Sequence, residues 1–486
     1  MRKLLERSSQ RIINILDVFV TQEGWITIGE LSELVDAGVR TISNDVGIIK
    51  KRWGAELNIE VSTKWGIKLH NQNVATIGNV FKQIFNESIA LKWLEEIFFF
   101  PGKRIEFYED RLFVSRSTLI RTLPDLNKYL NTIGMEIKRI NNQYNVIGNS
   151  EMHLRQLFSG FLLELHGLNL KKRELDVDLS LLKKILHQTL MKNLEPEETS
   201  FIFNNELFVV YYSMYYLVSL VRENQGFSDL RYNNSSSYAD TVIEDDELGR
   251  LKVFFPNITS DSIQPISGFI LSQYIGWDNI DEKWLVENET GLFYQRIFNG
   301  MRLLLNEEMH EKLEFMLRSL YLAQKFRPFS NSTLFDRIYY FSMTLKQYNF
   351  SLYQLFETNL NIFSKKTEMD MSGRIYDLLY WSSLILPEIN HNRKPMRLLV
   401  ISDFGVNHAH FIARYMENYF KNDVSDLTVD VGDYPEVLRE GSFDHYHIIV
   451  TTISHLSIDH NNIVLINDYP TEANMFDLYR ASHSVR

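Results

Sequence analysis

LFVSRSTLIRTLPDLNKYL, residues 112–130, carries the pattern of a turn followed by an amphipathic helix. Val114 and Ser115 make the turn, and the Ser115 hydroxyl is placed to take one of the helix's first unpaired backbone amides. Leu119, Leu123 and Leu126 recur at helical spacing and define a buried face. Arg116, Ser117, Thr118 and Arg121 are left on the exposed leading end. A helix that enters the major groove presents its N-terminal side chains in this way. Arginine grips guanine bidentately there, and hydroxyls meet phosphates or base edges. Upstream, EFYEDRLF predicts a helix ahead of the turn. Downstream, MEIKRI and YNVIG flank Asn141-Asn142-Gln143 as a hairpin, the wing. Lys128, Lys138 and Arg139 are candidates to hold the phosphate backbone from the helix end and the wing.

The same order occurs one module earlier. RIINILDVFV is amphipathic, TIGELSELV follows a Thr27 cap, and VRTISNDVGIIKKRW follows a short turn. ELNIEVST and IKLH then alternate as a hairpin joined through Lys64–Gly66. Gly38 stands where Ser115 stands in the second copy, so the hydroxyl cap is lost there. Arg40, Thr41 and Asn44 face outward, with Lys50, Lys51 and Arg52 near phosphate, while Ile42, Val46 and Ile49 form the inner stripe. The bland alternative is a pair of helices with solvated basic residues. Two copies, each followed by a wing, favour two winged helix-turn-helix modules, at 1–72 and 73–150.

Beyond residue 150 the pattern changes to long helices with aromatic stripes, among them ELFVVYYSMYYLVSLVREN and GRIYDLLYWSSLIL. A composition break falls near Pro387–Pro395. After it RLLVIS, DLTVDVG, HYHIIVTTI and NIVLIND read as strands, with a helical HAHFIARYMENYF between the first two. That alternation predicts a small α/β domain with a parallel sheet. The fold class is thus multidomain and mostly α.

The 486 residues carry a net charge of −11, unevenly placed. Residues 1–150 hold 20 Lys+Arg against 17 Asp+Glu, a balance of +3; the remainder holds 31 against 45, a balance of −14. The acidic bulk is confined to the C-terminal two-thirds, which leaves the first third free to approach phosphates. With no cysteine, disulfides, Cys-ligated zinc and thiolate catalysis are excluded. No signal-peptide core and no bilayer-length apolar run is present, so the reading is a cytoplasmic chain without a membrane partner. No phosphate-binding glycine loop, nucleophile elbow or H-E-x-x-H motif occurs, so neither an enzyme nor a cofactor is expected. His408/His410 and His445/His447 invite a metal reading, but no carboxylates at ligand spacing accompany them.

On VSRSTLIRTL, the aromatic helical middle and LLVISDFGVNHAHFIARYM, the chain resembles the Mga/AtxA group of virulence regulators of Gram-positive bacteria. The resemblance implies two helix-turn-helix domains and two helical PTS-regulation domains (PRDs), here 151–282 and 283–394. It also implies an EIIB-like α/β domain at 395–486. It implies further a global regulator that binds double-stranded promoter DNA, self-associates as a homodimer, and meets a phosphocarrier protein of the sugar phosphotransferase system. The middle region offers His153, His166, His187, His310 and His391. Of these, His187 and His310 lie on polar helix sides and are the candidate phosphorylation sites. An active EIIB of this type resembles C-x-x-G at the end of its first strand, where this chain has Ser402, Asp403, Phe404 and Gly405. A serine lacks a thiolate's nucleophilicity, so this domain is expected to be catalytically dead. The rival readings are a phosphotransfer assembly component and an RNA-binding antiterminator. The missing cysteine argues against the first, and the helical, winged N-terminus against the second.

Overall fold

A computed structural model describes residues 1–21, 24–62, 64–70, 73–167, 177, 179–228, 243–301, 303, 307–326, 334–390, 396–420, 427–437, 443–454 and 456–484. They form two compact units. One comprises Met1–Asp278 with Leu322–Tyr340, the other Asn279–Tyr321 with Phe341–Arg486.

The first unit opens with two copies of one motif. Helices α1 (Arg7–Thr21), α2 (Ile28–Val35) and α3 (Val39–Leu57) precede the antiparallel pair β1 (Ile59–Ser62) and β2 (Gly66–Leu69). Helix α4 (Val74–Glu87) leads into the second copy: α5 (Ile89–Phe99), α6 (Ile105–Leu112), α7 (Arg116–Asn131), β3 (Met135–Ile140) and β4 (Gln143–Gly148). The copies align at one constant offset without insertion, although the wing strands pair one residue out of step, Val61 with Ile67 in the first copy and Lys138 with Asn145 in the second. The bridge Ile26↔Ile67 in the first matches Lys103↔Tyr144 in the second, 77 residues on at both ends. Buried Ile42, Ile49 and Trp53 match Leu119, Leu126 and Leu130 at the same offset. Leu123 is only half-buried, at the edge of that face.

Local chemistry explains the boundaries. Thr27 closes a capping box with Glu30 at the start of α2. Ser115 accepts from the Thr118 amide at 3.3 Å to start α7, whereas Gly38 starts α3 with no side-chain cap. Wing two turns tightly because Asn141 and Asn142 both adopt positive φ (50° and 63°), the geometry of a two-residue hairpin between Ile140 and Gln143. The turn before α7 departs from expectation. α6 ends at Leu112, and Phe113 itself is the left-handed residue (φ 55°). The helical pattern of EFYEDRLF hides this, because phenylalanine has no preference for that conformation.

The unit continues as a helical bundle of α8 (Glu151–His166), α9 (Leu179–Asn193), α10 (Pro196–Phe203), α11 (Glu206–Asn224), α12 (Asp245–Lys252) and α13 (Ser260–Ile275). The sequence reads α11 as an amphipathic stripe. Instead every residue from Val209 to Arg222 is buried, which makes it the central helix. Its end is locked to the second winged module by charge. Arg222 gives Glu151 two bonds, at 2.6 and 2.9 Å, and reaches the Val146 carbonyl of β4 at 3.4 Å. Arg155 holds Glu223 at 2.7 Å beside it.

The second unit contains α14 (Ile280–Met301), the part of α15 (Glu307–Phe326) up to Tyr321, and α16 (Arg337–Tyr348) from Phe341 on. It also contains α17 (Phe350–Thr367), α18 (Ile375–Ile385) and an α/β layer. In that layer β5 (Met396–Ile401), α19 (Val406–Phe420), β6 (Leu427–Gly432), α20 (Tyr434–Val437), β7 (Ile448–Thr451), β8 (Ile463–Leu465) and α21 (Glu472–Ser484) follow in order. The sheet is parallel throughout, with strand order β6-β5-β7-β8, as the alternating pattern predicts. Buried residues of α19 and α21 cover one face; Val437 and Phe443 pack on the other.

Candidate nucleic-acid interface

Helices α3 and α7 present their leading residues to solvent. In the second module Arg116, Ser117, Arg121 and Lys128 are exposed and Thr118 is half-buried; in the first, Arg40, Asn44, Lys50 and Lys51 are exposed and Thr41 is half-buried. Lys138 and Arg139 are exposed on β3 at the wing tip. Several of these side chains already have partners. Arg116 pairs with Glu106 at 3.1 Å, Lys138 with Glu136 at 3.2 Å, and the Ser117 hydroxyl meets that of Ser115 at 2.9 Å. All are solvent-exposed contacts, cheap to exchange for a phosphate. Arg52 is bound to Glu87 and stacked over Trp53 at 4.3 Å, so it braces the end of α3. Lys128 lines a cleft of about 1110 Å³ with Asp125 and Tyr129.

Residues the sequence reading missed hold these helices in place. Buried Asp45 on α3 receives Arg11 of α1 through Nε at 2.7 Å and Nη2 at 3.2 Å. Asn127 on α7 clamps the wing, its amide donating to the Ile137 carbonyl at 3.0 Å and its oxygen accepting from the Ile137 amide at 2.7 Å. Neither has a local signature, since both contacts are non-local. At α2, hydrogen bonds from the Thr27 amide and hydroxyl hold the Glu30 carboxyl below the usual carboxylate range.

Residues 57–162, which include the whole turn, α7 and wing two, match the Mga helix-turn-helix domain. Along 97% of its length the chain is 22% identical to a protein named as a trans-acting regulator of Streptococcus pneumoniae, itself covered to 97%. Two proteins of Bacillus anthracis, the capsule synthesis positive regulators AcpB and AcpA, match at 22% and 20% identity over 28% of each chain. The chain is thus similar to the Mga/AtxA group of regulators. The named relatives in this family are regulators, not enzymes.

The family's other candidate residues lie in the helical and α/β parts. His187 is exposed on α9, its ring edge-on to Phe203 at 4.5 Å. His310 on α15 is half-buried, with Nδ1 3.6 Å from the Glu314 carboxylate. His166 is committed to the buried Glu95 of α5 at 2.7 Å, and His391 lies outside the described residues. In the α/β layer the β5–α19–β6 crossover runs one way and the return to β7 the other. The crevice of such a fold therefore lies between the C-terminal ends of β5 and β7. Ser402 sits there, 1% exposed, with its hydroxyl 2.7 Å from His408 Nδ1. His408 Nε2 faces the Asp468 carbonyl at 2.8 Å. That carbonyl only accepts, so Nε2 donates to it, and a neutral ring leaves Nδ1 to accept from the serine. Thr452 donates to Asp403 at 2.7 Å across the same crevice. His447, from the second histidine pair, accepts the Arg397 amide on Nδ1 at 3.0 Å. Among the described residues no group of three or more His, Asp or Glu could hold a metal ion, and no helix is long and apolar enough to cross a membrane.

Proposed function

We propose that this chain is a cytoplasmic DNA-binding transcription regulator, an activator, in which α7 of the second module reads the major groove and α3 of the first assists from the phosphate backbone. The observation that carries this is the 77-residue repetition of turn, helix and wing, with Arg116, Ser117 and Arg121 exposed at the start of the second copy's helix. Residues 151–282 and 283–394 act as PRD-like control domains and 395–486 as an EIIB-like domain, in a homodimer that doubles the base pairs read. Of the two phosphorylation candidates for a phosphocarrier protein, His187 is the better supported, because at His310 an incoming phosphoryl group meets the Glu314 carboxylate. The EIIB-like crevice has its serine buried and hydrogen-bonded, which supports an interaction role without phosphoryl chemistry.

The test is a gel-shift salt series on promoter fragments with Arg116→Ala/Arg121→Ala. Affinity is expected to fall, and the dependence on salt to flatten by about one unit of slope for each phosphate the variant no longer neutralises. Unchanged affinity and slope, with circular dichroism intact, would remove α7 from recognition.

A further inference from the structure

Phe113 combines two features that folding alone does not reward. It occupies the left-handed turn between α6 and α7 at φ 55°, a conformation that strains a side chain with a bulky Cβ substituent and that glycine, asparagine or aspartate adopts more easily. It is also 93% exposed, so its ring gains almost nothing from burial. Among the described residues the ring makes no aromatic or cationic contact. The same position in the first copy, 77 residues earlier, holds Asp36 at φ 53°, a residue suited to the turn. At every other left-handed non-glycine position among the described residues but one, asparagine or aspartate is used, and the exception is Glu368. A strained residue that contributes nothing to packing points to a role outside the fold.

Its surroundings say which role. Phe113 precedes the Ser115 cap by two residues and Arg116 by three. The Arg116–Glu106 pair draws the start of α6 alongside the start of α7, so the turn and both helix starts form one exposed lip. We infer that Phe113 is a DNA-contacting residue of the second module, its ring lying on the deoxyribose and thymine-methyl edge of the groove that α7 enters. This rests on the major-groove reading proposed above. The contact is apolar, so it supplies affinity and sequence preference without neutralising a phosphate.

The experiment is a salt series of fluorescence-anisotropy titrations on a promoter fragment, with the full chain and Phe113→Asn, Phe113→Trp and Arg116→Ala/Arg121→Ala. Phe113→Asn suits the turn, so its melting temperature is expected to be unchanged or slightly raised. Its affinity is expected to fall about tenfold with the salt slope unchanged. Phe113→Trp is expected to keep wild-type affinity. The double arginine variant loses both affinity and slope, which separates the two claims. If that variant behaves as stated while Phe113→Asn binds like wild type, this inference fails and the recognition helix stands. If Phe113→Asn weakens promoter activity in cells but not binding by the pure protein, the ring serves another protein and the DNA contact is refuted. If no variant alters binding, both claims fall.

Discussion

Replacing Arg222 with methionine keeps most of the side-chain volume at the end of α11 but deletes the charge that joins the helical bundle to the second winged module. Three interactions go at once: the bidentate pair with Glu151, the bond to the Val146 carbonyl on β4, and the guanidinium's stacking on Phe227 at 3.7 Å. Arg222 is fully buried, and Glu151 then depends on Arg155 at 3.4 Å. Removing one partner of a buried ion pair costs about 3–5 kcal/mol, because the other charge stays desolvated. Replacing both partners with apolar groups is far milder. Arg222→Met with Glu151→Leu should therefore recover most of the loss, Arg155 keeping Glu223 at 2.7 Å. Hydrogen exchange in peptides from α8, α11 and β4 reads the effect locally. The single variant should exchange about 10²- to 10³-fold faster there, with residues 396–484 unaffected. An acceleration under about threefold, or a double variant worse than the single one, would refute the claim that this pair is the joint.

The matched caps make a second prediction. Ser115→Ala should cost about 1 kcal/mol of stability by urea unfolding. Gly38→Ser, at φ −61° with no atom closer than 4.0 Å to a new Cβ, should gain a few tenths to about 1 kcal/mol. Opposite signs at equivalent positions are the signature to look for. At α2, the capping box depresses the Glu30 carboxyl, so its contribution is complete at neutral pH and lost as pH falls through that depressed value. Thr27→Ala removes the hydroxyl donor but keeps the backbone amide, the larger cause, so Glu30 should rise only part of the way toward the ordinary carboxylate range in a carbon-detected NMR titration; a carboxyl that does not move at all would show that the hydroxyl bond has no part in the depression.

Much of this architecture is legible from the chain alone wherever the signal is local. Thr27, Ser115 and the Asn141-Asn142 turn each act on residues two to four positions away, and the short β-rich runs of the last ninety residues are likewise local signals. Long-range chemistry is the part that escapes. The Arg222–Glu151 pair spans 71 positions and Arg11–Asp45 spans 34. Nothing in the neighbourhood of Asp45 marks it as a buried carboxylate rather than a surface one. Ser402 is an instructive middle case. The mismatch with a cysteine motif is visible in the sequence, but the hydrogen bonds that close the crevice need His408 and Asp468, which only the fold brings together.

The constant 77-residue offset through the turns and helices makes the differences there informative, because the backbone is nearly the same (φ 53° at Asp36, 55° at Phe113) while side chains change. Lys51 and Lys128 are equivalent, so both copies keep a cation late in the recognition helix. At the leading end they diverge: Val39 stands for Arg116, Asn44 for Arg121 and Asp36 for Phe113. The first copy thus lacks both arginines proposed to enter the major groove and carries a carboxylate at the turn where a phosphate would approach. Its Arg40 faces solvent where the second copy has Ser117. On the proposed reading the modules divide the work, the second supplying sequence preference and the first mainly counterion release. Arg40→Ala should then weaken binding to specific and scrambled duplexes alike, while Arg121→Ala should narrow the gap between them. Equal loss of discrimination from both substitutions would mean that the repeat reads DNA with two equivalent helices.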